Sequence, residues 1–488
     1  MKIIYINRPD FEYDILGLIQ QFYPREDIRI LTKETAGTAG IEGIDAGSVE
    51  DNCDYAIYYF EDRLLIRTAA ESFERNWDYK DRRDSKIRLK QLLYEIISEE
   101  TGKKMPWGTL SGIRPTKIPL KLLDEGKSRD EADAYMKDTY YCSPAKRELA
   151  INVAERELKL LSGFDYRKGY SLYIGIPFCP STCLYCSFTS YPYGLKKGWS
   201  DAYLDALEKE IIFTGRYFTK PLHTIYVGGG TPTALSADQL DRLLSMIEKY
   251  LPLDSLMELT VEAGRPDSIT EDKLKVLKRH GVDRISINPQ TMKDETLKLI
   301  GRHHSSAQTI ESYKMARAAG FDNINMDMII GLPGENECDV MDTLAKIREM
   351  GPDSLTIHSL ALKRSSRLNI NLDEYRDYAM DNSESLMGMA EQAALDMGLE
   401  PYYLYRQKNM AGNLENVGFS SRGKECLYNI LIMEERQNIV ALGAGSACKR
   451  VFADGHTDRC ENIKDVDLYI DKIDEMIERK KILFAEDH

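Results

Sequence analysis

The stretch SLYIGIPFCPSTCLYCSF (171–188) joins an apolar run to three cysteines, Cys179, Cys183 and Cys186, at C-x3-C-x2-C spacing. Residues 171–178 read as a buried strand. Three thiols so close together suit neither paired disulfides nor a four-ligand structural zinc. Three thiolates can hold three irons of a [4Fe–4S] cube and leave the fourth iron open to another ligand. A zinc site with a distant fourth ligand, or three unrelated thiols, are the alternatives.

Working outward, the same rhythm repeats. DAYLDALEKEIIFTG reads as a helix, HTIYVGGG as a strand, and SADQLDRLLSMIEKYL as a helix opened by a Ser236/Gln239 capping box. MELTVEA, VDRISINPQ, NINMDMIIGLPGE and PDSLTIHSL are further strands, with helical stretches TEDKLKVLKRHG, KDETLKLIG and CDVMDTLAKIREMG between them. Six apolar strands alternating with helices predict parallel β/α units and a closed or partly closed barrel, with the working loops at the C-terminal strand ends. The cysteines follow the first of these strands.

Other chemistry-bearing residues fall at the same ends. YVGGGTPT (226–233) brings Gly229, Gly230 and Thr231 after the second strand, where missing Cβ atoms let backbone approach a ligand. Glu262, Gln290 and Asp327 fall on or after the third, fourth and fifth strands, and Arg302 follows in IGRHHS. An acid can bind ribose hydroxyls and an arginine a carboxylate. Each alone reads equally as a surface or packing residue.

C-x3-C-x-aromatic-C, with Tyr185 as the aromatic, resembles the signature of radical S-adenosylmethionine (SAM) enzymes. LYIGIPFCPSTCLYCSF, GGGTPT and DMIIGLPGE resemble the oxygen-independent coproporphyrinogen III oxidase branch. GIRPTKIP, YYCSPAKRELAINVAERE and YRQKNMAGNLENVGF resemble its HemZ-type subgroup, the coproporphyrinogen dehydrogenases. The resemblance implies a [4Fe–4S] cluster on Cys179, Cys183 and Cys186, and a SAM cradle of Tyr173, Gly229, Gly230, Thr231, Glu262, Gln290, Arg302 and Asp327. Tyr173, six residues before the first cysteine, is also the implied catalytic residue. It further implies a partial (β/α)6 radical-SAM barrel over 166–365, a small N-terminal α+β domain with a helical connector over 1–165, and a C-terminal α/β extension over 366–488.

Two positions depart from the oxidase pattern. Gly175 stands where that branch carries a histidine, and Phe188 where it carries a further cysteine. The implied activity is oxidative decarboxylation of coproporphyrinogen III to protoporphyrinogen IX without oxygen, fed by an electron donor such as flavodoxin or ferredoxin. Haem binding and delivery, or another tetrapyrrole reaction such as haem methylation with ring opening, are the alternatives the branch offers. A substrate rich in carboxylates calls for basic forks, for which Arg265, Arg364, Arg367 and Arg406 are candidates, with flat faces at Tyr402, Tyr403 and Tyr405. By type alone the arginines read as exposed and the tyrosines as strand packing. His303 and His304 read as exposed loop residues, and Cys426, Cys448 and Cys460 as isolated thiols. IVALGAGSACKR (439–450) reads as a buried strand and turn that could lie beside the active site.

Composition limits the rest. The 488 residues allow two to four domains. A formal net charge of −14 argues against a protein that coats nucleic acid. Nine cysteines without a signal peptide point to thiols or metal ligands in a soluble, cytoplasmic protein, and no apolar run is long enough to span a membrane.

Overall fold

The computed structural model describes all residues except 25, 37–49, 364, 376, 377, 379, 381, 408–413 and 486–488. It divides into two compact units, the first over Met1–Asn152 and the second holding nearly everything from Val153 onward.

The first unit is a five-stranded mixed sheet in the order β2-β1-β3-β4-β5. Its strands are β1 (Lys2–Ile6), β2 (Ile28–Leu31), β3 (Tyr55–Tyr59), β4 (Arg63–Arg67) and β5 (Ser72–Asn76). The hairpin around Glu61 and Asp62 forms as the sequence predicts, with Tyr59 opposite Leu64. The helix Arg82–Thr101 lays Leu89, Leu93, Ile96 and Ile97 onto the core and stops at Gly102, whose φ of 67° suits only a residue without Cβ strain.

The second unit is built on one eleven-stranded sheet. Six parallel strands form its centre: β6 (Tyr170–Ile176), β9 (Leu222–Gly229), β10 (Glu258–Glu262), β11 (Arg284–Ser286), β12 (Ile324–Ile330) and β13 (Ser354–Ser359). A small pair, β7 (Phe178–Cys179) and β8 (Tyr191–Pro192), braces the cysteine loop. The partial (β/α)6 core is therefore present, and its strands are buried on both faces, as parallel strands with helical crossovers must be.

The C-terminal region extends this sheet at both ends. On the β13 side, β15 (Asn416–Ser420) and β14 (Glu400–Tyr405) add antiparallel. On the other side, β16 (Asn438–Leu442) pairs parallel with β6, followed by the antiparallel β17 (Ala447–Val451) and β18 (Thr457–Glu461). IVALGAGSACKR thus lies directly against the cysteine-bearing strand, with Ala441 in register with Tyr173.

Three local expectations need correction. The long helix expected from Glu374 begins at Glu384, capped by the Ser383 hydroxyl; residues 376, 377, 379 and 381 lie outside the described residues. The strand VDRISINPQ is regular only over Arg284–Ser286, because Pro289 has no N–H for the ladder. Pairing resumes at Gln290, whose N–H donates to Asp327 O at 2.9 Å. An unforeseen helix, Ser306–Ala318, precedes β12; its Ser305/Gln308 capping box was a readable signal.

A buried ionic node fixes the C-terminal extension to the first helix after the cysteines. Glu210, on the helix Trp199–Tyr217, accepts from Lys480 Nζ (2.6 Å), Tyr469 Oη (2.6 Å), Gly443 N (2.8 Å) and Asn462 Nδ2 (2.9 Å). Both charged side chains are fully shielded from solvent. Lys480→Met strands a buried carboxylate and is expected to lower stability by about 3–5 kcal/mol. Adding Glu210→Gln should restore part of the loss, both read from denaturant midpoints.

Candidate functional site

The cysteines sit on the loop after β6, and the glycine run of β9 packs straight onto it. Gly230 N donates to Ile176 O at 2.8 Å and Thr231 N to Phe178 O at 2.7 Å. A Cβ on Gly230 would lie 2.7 Å from Phe178 O and 3.0 Å from Cys179 Sγ, so no side chain fits. Thr231 Oγ1 then reaches Cys179 Sγ at 3.4 Å. The second cysteine is met from another strand end. Arg265 Nη1 lies 3.5 Å from Cys183 Sγ and 3.2 Å from Ser181 O.

Arg265 is buried, contrary to the exposed state expected of it. It is held by Asp267 through two hydrogen bonds (2.9 and 2.7 Å) and bonds Ser181 Oγ at 3.0 Å. Its donors are spent on the cysteine loop, so it is no fork for a substrate carboxylate. Burial pushes the Cys179 thiol up to about 11, with the Thr231 hydroxyl and Arg265 opposing. Cys186 is raised by burial too. Lys363, beside Cys186, went unnoticed in the sequence, and burial lowers its pKa. Phe188 is exposed.

The remaining predicted residues form a band along the same end. Tyr173 stacks on Tyr226 (ring centroids 6.2 Å apart) and on Tyr428 (6.3 Å), and its hydroxyl lies beside Gly229. Glu262 accepts a 2.6 Å bond from Tyr226 Oη. Burial raises its carboxyl to about 7; Tyr226 opposes the shift and the nearby Asp327 adds to it. Asp327 accepts from Asn288 Nδ2 (2.8 Å) and Asn325 Nδ2 (2.7 Å), with His358 Nε2 at 3.8 Å. Burial would raise Asp327, but His358 and Asn325 outweigh it and hold the carboxyl below its ordinary value.

Arg302 donates to Asn288 O (2.7 Å) and Gly264 O (3.2 Å) and lies beside Tyr185 and Cys183. Its Nε is buried without a hydrogen-bond partner. So is the side-chain oxygen of Gln290, whose backbone is held at φ 63°. Two orphaned polar atoms at the strand ends that also carry the cysteine loop, one of them on the arginine beside Cys183, are groups a polar ligand would satisfy. No three His, Cys, Asp or Glu side chains among the described residues converge for a single metal ion. A cube whose corners each take one thiolate spreads its ligands farther apart, and the donor set fits that group.

Other expectations resolve differently. His304 is buried rather than exposed, its ring nitrogens lack hydrogen-bond partners, and burial followed by Arg302 drives its pKa down to about 3; His303 is exposed. Arg406 is buried as well, Arg367 is exposed, and Arg364 lies outside the described residues. Tyr402 and Tyr403 are buried, and Tyr403 stacks on Tyr405 at 6.2 Å. Tyr226, Tyr428, Asn288 and His358 were missed as site residues. Tyr226 had a signal, alternating in phase with Gly228 and Gly230; Tyr428, on the helix Leu427–Met433, had none.

Comparisons with known proteins agree with this geometry. Residues 173–347 match the Radical SAM superfamily model. The chain is 41% identical over 391 residues to the oxygen-independent coproporphyrinogen-III oxidase-like protein HemZ of Bacillus subtilis, covering 79% of this chain and 78% of that protein. It is 34% identical over 278 residues to heme chaperone HemW of the same organism, covering 57% of this chain and 70% of that protein. Among solved structures, coproporphyrinogen III oxidase (HemN) from Escherichia coli superposes with a TM-score of 0.51 at 22% identity, over 64% of this chain and 71% of that one.

Gly230→Ala tests the close approach. It is expected to lower iron and sulfide incorporation and the brown absorbance severalfold on anaerobic reconstitution, with the far-ultraviolet circular dichroism little changed.

Proposed function

The chain belongs to the radical SAM superfamily, in the oxygen-independent coproporphyrinogen-III oxidase-like family of HemZ, and we propose that it decarboxylates a tetrapyrrole oxidatively, converting coproporphyrinogen III to protoporphyrinogen IX. Radical SAM proteins use a [4Fe–4S] cluster and SAM, which together supply a radical that abstracts hydrogen.

In this reading Cys179, Cys183 and Cys186 hold three irons, with Thr231 fixing the first sulfur and Arg265 the second. Gly229, Gly230 and Thr231 give the methionine end of SAM a backbone surface, and Tyr173 flanks it. The orphaned Arg302 Nε donates to its carboxylate, the orphaned Gln290 side-chain oxygen accepts from an N–H or O–H of the same ligand, and Glu262 and Asp327 take its ribose hydroxyls. The electron comes from an external donor such as flavodoxin or ferredoxin.

The observation that carries the substrate reading is a tyrosine cluster at the cradle, of which Tyr173, Tyr226 and Tyr405 are only partly buried. Tyr173, Tyr226 and Tyr428 stack beside Glu262, and Tyr402, Tyr403 and Tyr405 continue the same cluster. Successive flat faces suit a large macrocycle.

A second reading, haem binding and delivery, is favoured by the likeness to HemW and by Gly175. A Cβ at Gly175 would make only ordinary contacts, 3.4 Å to Leu442 O and to the Tyr173 ring, so packing at that atom does not demand a glycine. Anaerobic incubation of reconstituted protein with SAM, a reductant and coproporphyrinogen III decides between them. The oxidase reading requires vinyl product and 5′-deoxyadenosine by mass spectrometry, absent in Cys183→Ala. Tight haem binding with no product overturns it in favour of the carrier.

The SAM cradle carries its own pH test. Glu262 loses an acceptor as pH falls through about 7, because protonation neutralises the buried carboxylate. SAM affinity is expected to weaken roughly tenfold between pH 8 and pH 6, since only about a tenth of such a group is ionised at the lower value. Glu262→Gln should flatten that dependence in equilibrium binding.

A further inference from the structure

Away from the cysteine loop, two other thiols meet. Cys448 on β17 and Cys460 on β18 are direct cross-strand partners in the antiparallel ribbon that ends the large sheet, and both are free. Their spacing in sequence gave no hint of this. Asn462 N donates to Ser446 O and Phe452 N to His456 O, each at 2.9 Å. Every second pair between those two is hydrogen-bonded, and Cys448/Cys460 is one of them. At such a position the Cα atoms lie about 5.5 Å apart, within reach of a disulfide. The side chains are wider apart there than at the alternate pairs, so a bridge closes under strain and reopens readily.

The two sulfurs sit in different surroundings. Cys448 is buried, accepting from Ala441 N at 3.2 Å and donating to Ala441 O at 3.4 Å. Cys460 is only partly buried, the more exposed of the two. The neighbouring Cys448 thiol holds the Cys460 thiol below its usual range despite partial burial, and Lys480 and Arg479 add to the effect. Burial pushes Cys448 the other way. A reachable thiol favoured as thiolate, with a second thiol poised behind it, is the arrangement thiol–disulfide exchange requires.

We propose that Cys448 and Cys460 form a thiol–disulfide exchange site for low-molecular-weight disulfides, with Cys460 attacking and Cys448 resolving. The Cys460 thiolate attacks one sulfur of the small disulfide, forming a mixed disulfide and expelling one thiolate. Cys448 then attacks Cys460 Sγ, its proton passing to the departing thiolate. Two protein thiols lose two electrons in total, and one small disulfide becomes two thiols. The site lies across β16 from Tyr173, because Ala441 on β16, which bonds Cys448, is in register with that tyrosine on β6.

The test uses reconstituted holoprotein equilibrated anaerobically with mixtures of glutathione and glutathione disulfide, acid-quenched, alkylated and digested. A peptide pair linked through Cys448 and Cys460 is expected to rise with the disulfide fraction and to vanish with dithiothreitol. In Cys448→Ser, a single glutathione should accumulate on Cys460. Brief iodoacetamide treatment of reduced protein should label Cys460 at least about tenfold faster than Cys448. The proposal is overturned if both thiols stay alkylatable at every ratio, if Cys460 links to a different cysteine, or if Cys460 in Cys448→Ser takes up no glutathione.

Discussion

The contact on which the rest of the site depends is the approach of Gly230 to the backbone of Ile176 and Phe178. A parallel sheet brings neighbouring strand ends to one edge, but ordinary residues would keep the loops beyond them a side chain apart. Removing the Cβ lets the second strand's end hydrogen-bond to the loop after the first. Thr231 is thereby delivered to Cys179, while the third strand's end sends Arg265 to Cys183. Two of the three sulfurs are thus positioned by strand ends that do not carry them.

The same end of the sheet gathers opposing electrostatics in little space. Burial pushes Glu262 toward its neutral form, and Asn288, Asn325 and His358 keep Asp327 charged a strand or two away. Two carboxyls with different proton affinities can serve the two hydroxyls of one ribose in different ways, one as a permanent acceptor and one as a conditional one. Arg302 joins the band to the cysteines through Asn288 and Cys183.

Much of this was legible in the residues. The cysteine spacing, the strand–helix alternation and the polar residues at strand ends each had a local signature, and all converge on one end of the sheet. What was not legible arises from partners distant in the chain. Nothing near Arg265 announces that Ser181 and Cys183 will bury it, and nothing near His304 announces its enclosure behind Arg302. The alternation rule stops at β13; 439–450 was legible as a buried strand near the site, but not its entry beside β6 as a seventh parallel strand. The pairing of Cys448 with Cys460 depends on ribbon register, which a single sequence encodes weakly.

That seventh strand has a consequence for how the protein is made. Ser171 on β6 bonds Gln437, beside the start of β16, 266 positions further along the chain. While the nascent chain is on the ribosome, the cysteine-bearing strand therefore waits with one edge bare until most of the polypeptide has emerged. Contacts so distant in sequence form late and slowly. The edge beside β6 therefore closes after the strands that hold the cysteine loop are already made.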